Sequence, residues 1–242
     1  MRRKKYLAIV FAMMMMFSMT AAASADANAS WNAAKGTAVV DGQKDDVYAA
    51  AQKMNMDAVS DGESDGTTAA AWAVYDEEAI YFLVEVKDSI LDDTNTNSWE
   101  KDSVELRIED MNRLNIGFAV DESFSGADAS EVKVLKTDAG YNVEYKIPYA
   151  TAEGASVKFA LQVNAASNGK RNCTLHTNAD LKDAWQSNSV FENLIFSSVT
   201  AAADVTATDV PKTGAVSLSL LFGLGAGGAA AGAAFCKGKK KD

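Results

Sequence analysis

The sequence predicts an all-β protein, an antiparallel β-sandwich of the jelly-roll type in a single domain. Apolar residues recur at every second position in several short segments, as in strands that bury one face. Asp, Asn and Gly cluster between these segments, where tight turns are expected. No central segment shows the 3.6-residue period of a long amphipathic helix.

The strands follow one another closely along the chain. The alternation predicts strands over 80–87, 103–109, 114–118, 132–135, 141–147 and 157–164. The apolar side chains of each strand should face the core, which leaves their polar neighbours outside. In 114–118 this places Leu114 and Ile116 inside and Asn115 outside. Residues 46–54 are expected to form a short helix or a loop.

Residues 1–25 are predicted to be a secretory signal peptide. Four basic residues follow the first Met, and an apolar run comes next. Ala23-Ser24-Ala25 then fits the small-x-small pattern that precedes cleavage, so cleavage is expected between Ala25 and Asp26. The alternative is an uncleaved anchor, but the apolar run is shorter than the ~20 residues of a membrane span.

The C-terminus combines three features in a fixed order. Residues 210–214 read Val-Pro-Lys-Thr-Gly, 215–236 are apolar and long enough to span a bilayer, and four lysines follow. This order resembles the cell-wall sorting signal of Gram-positive bacteria, with Val210 in place of Leu. The resemblance implies that a sortase cleaves between Thr213 and Gly214 and joins the Thr to peptidoglycan. The alternative is a plain membrane anchor; in both cases the protein is secreted and held at the cell surface.

A single domain, 31–197, and a short polar linker, 198–209, separate the two ends. The region 26–213 keeps 15 basic and 32 acidic residues, so its net charge of about −17 exceeds the −10 of the whole chain. Such a charge repels nucleic acid and suits neutral ligands or cations. Cys173, the only cysteine of this region, is expected to be a small buried hydrophobe, with a reactive thiol as the alternative.

Several segments of the central domain together resemble carbohydrate-binding module family 9. The segments are Val40-Asp41-Gly42 with the acidic pair and Tyr48 that follow, Tyr81 to Asp88, Trp99 to Glu109, Phe159 to Asn164, and Trp185 with Phe191 to Leu194. The most specific of them is the Trp-Glu-Lys-Asp-Ser-Val-Glu sequence that begins at Trp99. The resemblance extends over about 33–196 and implies a β-sandwich that binds sugars.

The resemblance also implies a binding site in which Trp99 and Trp185 clamp a sugar ring, at the reducing end of a glucan or xylan. The polar residues that match the family's partners, or stand at or near their positions, are Glu105, Gln162, Asn164, Arg107 and Asn115. Asn115 stands where the family has an arginine, and Lys182 where it has an asparagine. Aromatic faces cover the C–H surfaces of a sugar, while carboxylates, amides and guanidinium groups meet its hydroxyls.

An acidic loop suggests a structural cation. Asp88, Asp92 and Asp93 bring together the carboxylate oxygens that Ca²⁺ prefers, and the resemblance implies structural calcium. The alternative is a solvated acidic loop.

The sequence does not indicate an enzyme. His176 is the only histidine, which leaves little for a histidine-based metal site or catalytic triad, and no segment singles out a glycosidase pair of carboxylates. We therefore expect non-catalytic binding of a polysaccharide or oligosaccharide at the bacterial cell surface. Two alternatives stay open: an adhesin or scaffold module that recognises protein or host glycan, and a haem-binding relative.

Overall fold

The computed structural model describes residues 28–126 and 128–200. The strands are Ser30–Lys35 (β1), Met54–Met56 (β2), Ala58–Gly62 (β3), Thr68–Tyr75 (β4), Ala79–Lys87 (β5), Ser103–Ile108 (β6), Leu114–Phe118 (β7), Phe124–Gly126 (β8), Glu131–Thr137 (β9), Gly140–Pro148 (β10), Ser156–Ser167 (β11), Lys170–His176 (β12) and Glu192–Thr200 (β13). The short 3₁₀ helices are Asp46–Ala50, Ser98–Glu100, Ala179–Asp183 and Asn188–Val190. The predicted signal peptide and sorting signal lie outside the described residues. No helix within the described ranges is long and apolar enough to cross a membrane.

The strands form one large mixed sheet that confirms the all-β prediction. Its main path runs β8-β7-β6-β11-β13-β1-β4-β5-β10-β9, with β2 beside β4 and with β12 and β3 continuing from β11. The pairings are antiparallel except that β1 runs parallel to both β13 and β4. The sequence predicted a purely antiparallel arrangement, and the two parallel pairings of β1 correct that prediction. Parallel neighbours need a long connection, which the segment between β1 and β4 supplies.

The sheet folds over into two layers that enclose the core. Phe82 of β5 packs against Phe159 of β11 with ring centroids 5.5 Å apart. Tyr145 of β10 crosses between the layers, because its hydroxyl accepts from the Gly117 N–H at 3.1 Å and donates to the Val104 carbonyl at 2.8 Å. The buried hydroxyl is thus satisfied by backbone groups of the opposite layer.

The faces of β7 are the reverse of those predicted. Leu114 and Ile116 lie on the outer face, while Asn115 and Gly117 face the core. A side chain at Gly117 would not fit, since a Cβ there would lie 2.5 Å from Cγ1 of Val143. The small residue lets the backbone of β7 approach the opposite layer, and this approach decides which face is inside.

Two further buried side chains are a cysteine and a tryptophan. Cys173 is buried, as expected for a small hydrophobe. Trp72 is buried as well, but in a second cluster on the outer side of the other layer, with Tyr48 and Tyr81. The ammonium of Lys44 lies 3.1 Å from the centre of the Trp72 ring, a cation–π contact that covers this cluster.

Glu144 fastens the loop that follows β1 to the sheet. Its carboxylate accepts from the Tyr48 hydroxyl at 2.8 Å and from the N–H groups of Gly42 at 2.9 Å and Asp41 at 3.1 Å. Burial raises the pKa of Glu144 to about 7, although these three hydrogen bonds favour the ionised form.

Stability should depend on the protonation of Glu144. Its pKa is higher in the folded protein than the ordinary 4.5, so its contribution is full below pH 4.5 and is lost as the pH rises to about 7. Between pH 5 and pH 8, urea titration should show that the wild type loses about 1–2 kcal/mol more unfolding free energy than the Glu144→Gln variant. Equal losses in both proteins would contradict this account.

Candidate functional site

A cleft of about 750 Å³ opens on the outer face of the layer that contains β6, β7, β11 and β12. Its lining residues are Ser60, Asp61, Ser98, Trp99, Glu105, Arg107, Leu114, Ile116, Gln162, Arg171, Thr174, His176, Lys182, Asp183 and Trp185. The cleft therefore brings together five of the seven residues predicted to bind sugar: Trp99, Trp185, Glu105, Arg107 and Gln162. Outward-facing positions of neighbouring strands form the floor, and loops carry the tryptophans.

Trp99 belongs to the 3₁₀ helix Ser98–Glu100, and 51% of it is exposed. Arg171 of β12 holds this helix in place. Its backbone N–H donates to Glu100 Oε2 at 2.8 Å, and its Nη1 donates to the Trp99 carbonyl at 3.3 Å. The indole is thus presented to solvent by a braced backbone.

Trp185 follows the 3₁₀ helix Ala179–Asp183, and 63% of it is exposed. Leu181, Ala184 and Phe191 pack on Ala160 of β11 and form a small core outside the sheet. This cluster fixes the segment against the outer face, and Trp185, next to Ala184, remains outside it. Trp185 and Trp99 line the same cleft, and apolar surface gathered in a concave site is typical of a binding site.

The polar floor of the cleft is one connected network. Glu105 Oε2 lies 2.8 Å from Arg107 Nη2, and Glu105 Oε1 accepts from Asn164 Nδ2 at 2.9 Å. Asn164 Oδ1 in turn accepts from Gln162 Nε2 at 2.7 Å. All four side chains are buried, so each fixes the orientation of the next.

Two predicted sugar-binding residues do not line the cleft. Asn164 lies beneath the floor, where it orients Glu105 and Gln162. Asn115 faces the core instead, and its Oδ1 accepts from the N–H groups of Asp128 at 3.3 Å and Ala129 at 2.9 Å. The assignment of Asn115 to the sugar site is therefore corrected; it ties a loop to β7.

The structure adds Arg171 and His176, which the sequence analysis did not assign to the site. Both lie on β12, a strand that was not predicted. The guanidinium of Arg171 also pairs with Asp61 at 3.0 Å across the cleft wall. Polar Thr174 and His176 alternate with apolar Cys173 and Leu175, and this period of two was the available signal in the sequence.

The structure does not bring the three acidic residues Asp88, Asp92 and Asp93 into one metal-binding cluster. Among the described residues, no group of three or more His, Cys, Asp or Glu side chains is arranged to hold a metal ion. The carboxylate of Asp92 instead accepts from the N–H groups of Thr94 at 2.8 Å and Gly169 at 2.6 Å. These contacts explain Asp92 as a residue that orders its own loop.

A buried acidic pair lies next to this loop. Asp88 and Asp102 are close enough for their carboxyl groups to interact, and burial raises the pKa of both. Oδ2 of Asp88 is buried and has no partner. Two buried carboxyl groups this close to each other avoid carrying two uncompensated charges if they share a proton or bind a cation.

The fold is a β-sandwich whose outer face carries a concave cleft, and two exposed aromatic side chains, Trp99 and Trp185, line this cleft. The family model described as carbohydrate family 9 binding domain-like matches residues 40–198. The chain belongs to this carbohydrate-binding family, as the sequence resemblance predicted. The module of this family binds and is not itself catalytic.

Relatives and solved structures agree with this assignment. Endo-1,4-beta-xylanase A of Thermotoga neapolitana is 31% identical over 178 residues, which are 66% of this chain and 17% of that protein. Exoglucanase XynX of Acetivibrio thermocellus is 31% identical over 182 residues, 66% of this chain and 16% of that protein. The chain thus spans about a sixth of the length of these relatives.

Two solved structures share the fold. Both are of a carbohydrate binding module family 9 from Caldicellulosiruptor kristjanssonii. The complex with glucose has a TM-score of 0.62 and 23% identity, and it covers 69% of this chain and 95% of that one. The complex with cellotriose has a TM-score of 0.62 and 22% identity, and it covers 75% of this chain and 99% of that one.

Replacing Asn164 by Leu should test the network beneath the cleft. Glu105 and Gln162 would each lose a buried partner, so the unfolding free energy should fall by about 2–3 kcal/mol. Asn32→Ala is the matched control, because Asn32 is exposed and should cost under about 0.5 kcal/mol. Chemical denaturation measures both, and an equal cost for the two variants would refute the network.

Proposed function

We propose that this module binds a neutral oligosaccharide or polysaccharide of the glucan or xylan type, with one sugar ring between Trp99 and Trp185. The observation that carries the proposal is that both exposed indoles line one cleft above a buried polar floor. The relatives are named as a xylanase and an exoglucanase, and these names support this ligand class. So do the glucose and cellotriose in the two related structures.

The chemistry of the cleft suits a sugar ring. An indole on each side removes apolar C–H surface from water, a contribution of about 1–3 kcal/mol if ~50–100 Å² is covered. Glu105, Arg107 and Gln162 then offer both donors and acceptors to the hydroxyls at the ring edge. The charged groups are largely paired, Glu105 with Arg107 and Arg171 with Asp61, which favours an uncharged ligand.

The place of action follows from the two ends of the chain. A signal peptide, 1–25, and a sorting signal, 210–242, would export the protein and join it to peptidoglycan through Thr213. Both assignments rest on the sequence patterns described above. In this arrangement the module would hold polysaccharide at the surface of a Gram-positive cell.

Structural calcium is part of the proposal. Asp88 and Asp102 are the residues that fit it best, because they place two carboxyl groups together and one buried oxygen of Asp88 has no partner. Hard oxygen ligands of this kind suit Ca²⁺, which would remove the repulsion between two ionised carboxylates. The bound ion would tie the loop after β5 to the start of β6.

The clamp can be tested by calorimetric titration with cellobiose, xylobiose and their reduced alditols. Trp99→Ala and Trp185→Ala should each weaken sugar binding by about tenfold or more, because each removes one stacking face. Phe124→Ala is the matched control, since Phe124 is 52% exposed but lies outside the cleft. Wild-type affinity in both tryptophan variants would exclude the clamp.

Titration with the reduced alditols tests the predicted preference for reducing ends. Binding of the sugars without the alditols would establish that preference, and equal binding of both would remove it. Absence of binding to all of these ligands would leave the adhesin alternative, in which the same cleft recognises protein or host glycan.

Removal of calcium should lower the melting temperature. We expect a decrease of several degrees in EDTA and recovery with added Ca²⁺, since about 1 kcal/mol shifts a domain of this size by roughly 2–4 °C. Asp88→Asn should lose most of this response, because it replaces a charged ligand by a neutral one. Melting that is insensitive to both EDTA and Ca²⁺ would contradict the calcium proposal.

A further inference from the structure

Two buried side chains on the cleft floor carry polar atoms that have no partner. Arg107 of β6 is 5% exposed, and its Nε and Nη1 make no hydrogen bond within the described residues. His176 of β12 is fully buried, and its Nε2 is likewise unsatisfied. Both line the cleft, with Gln162 on the strand between them. Native proteins rarely leave buried polar atoms unmatched, so each such atom calls for a partner.

The hydrogen bond of the imidazole fixes its protonation. Nδ1 of His176 lies 2.8 Å from the carbonyl oxygen of Leu161, which can only accept. Nδ1 therefore carries the hydrogen, and Nε2 presents a lone pair as an acceptor. Burial lowers the pKa of His176 to about 4, and the positive charges of Arg107 and Arg171 act in the same direction. The ring is thus neutral under ordinary conditions.

Arg107 complements this acceptor with donors. Its Nη2 pairs with Glu105 at 2.8 Å, while the N–H groups of Nε and Nη1 are buried without a partner among the described residues. Unpaired donors of Arg107 and an unpaired acceptor of His176 therefore lie buried at the floor of the cleft. A hydroxyl group can accept a hydrogen bond from Arg107 and donate one to Nε2 of His176, whereas a carboxylate can only accept.

We propose that Arg107 and His176 form a recognition pair for the hydroxyl edge of the bound ring, and that this pair selects an uncharged sugar over a uronic acid. The inference rests on the proposed sugar-binding function and assigns the groups that would read the hydroxyls. One hydroxyl oxygen accepts from Arg107, and the same or a neighbouring hydroxyl donates to Nε2 of His176. A carboxylate at this position leaves Nε2 without a donor and faces the Glu105 carboxylate.

The wild-type protein provides the first test, because His176 is its only histidine and gives an unambiguous imidazole spectrum. Addition of glucose or cellotriose should move the ¹⁵N resonance of Nε2, as expected when it accepts a hydrogen bond, while Nδ1 stays protonated. Glucuronic acid should bind at least tenfold more weakly than glucose. An unchanged Nε2 resonance in the sugar-saturated protein would overturn the proposal and leave His176 with a structural role or a bound internal water.

Variants and deoxy sugars supply the second test. His176→Phe should lose about tenfold in glucose affinity, and His176→Gln, whose amide can place an oxygen near the position of Nε2, should retain most of it. One monodeoxy glucose, which lacks the hydroxyl that contacts His176, should bind the wild type more weakly than glucose does. The His176→Phe variant should bind this deoxy sugar and glucose with equal affinity. A penalty that is equal in both proteins for every deoxy sugar would contradict the proposal.

The outcomes separate this inference from the proposed function. If the wild type binds no sugar, the proposed function fails and the inference fails with it. If the wild type binds sugar and His176→Phe binds it equally well, only the inference fails. Melting temperatures of all variants show whether a loss of affinity reflects a loss of folding.

Discussion

The carboxylate of Glu105 is the buried charge on which the cleft depends. An isolated carboxylate at this depth would be strongly disfavoured, so its two oxygens must both be matched. Arg107 matches one of them and Asn164 the other. Asn164 then fixes Gln162, so one buried charge determines the positions of three neighbouring polar side chains. The hydrogen bonds that compensate this buried charge therefore also fix the side chains of the cleft floor.

The walls of the cleft obey a different constraint, which is apolar packing outside the main core. Leu181, Ala184 and Phe191 bury themselves on Ala160, and this small cluster holds the segment that carries Trp185. On the other side, Arg171 braces the backbone at Trp99 by hydrogen bonds. Both indoles are therefore exposed on anchored segments. Preorganised aromatic faces reduce the entropic cost of binding a ligand.

Much of the fold could be predicted from the local alternation of apolar and polar residues. Where this prediction was wrong, the structure shows a physical reason. β5, β6, β10 and β11 alternate clearly because one face of each meets the core. β7 was assigned the wrong face, since Gly117 lets the strand approach the opposite layer, and its apolar side chains line the cleft instead. The parallel pairing of β1 depends on partners far along the chain, which no short pattern reports.

Trp99 and Trp185 could be predicted because stacking on a sugar ring requires aromatic side chains. Residues whose place in the cleft depends on tertiary contacts were harder to predict. His176 acquires its proposed role through the carbonyl of Leu161 on the neighbouring strand β11, a contact that the sequence pattern does not report. The central claim is that a sugar lies between Trp99 and Trp185, and the four indole N–H resonances of the protein test it directly. During titration with cellotriose, the resonances of Trp99 and Trp185 should shift while those of buried Trp72 and of Trp31, bonded to Glu192, stay in place. Unchanged resonances of Trp99 and Trp185 at saturating ligand would contradict the account.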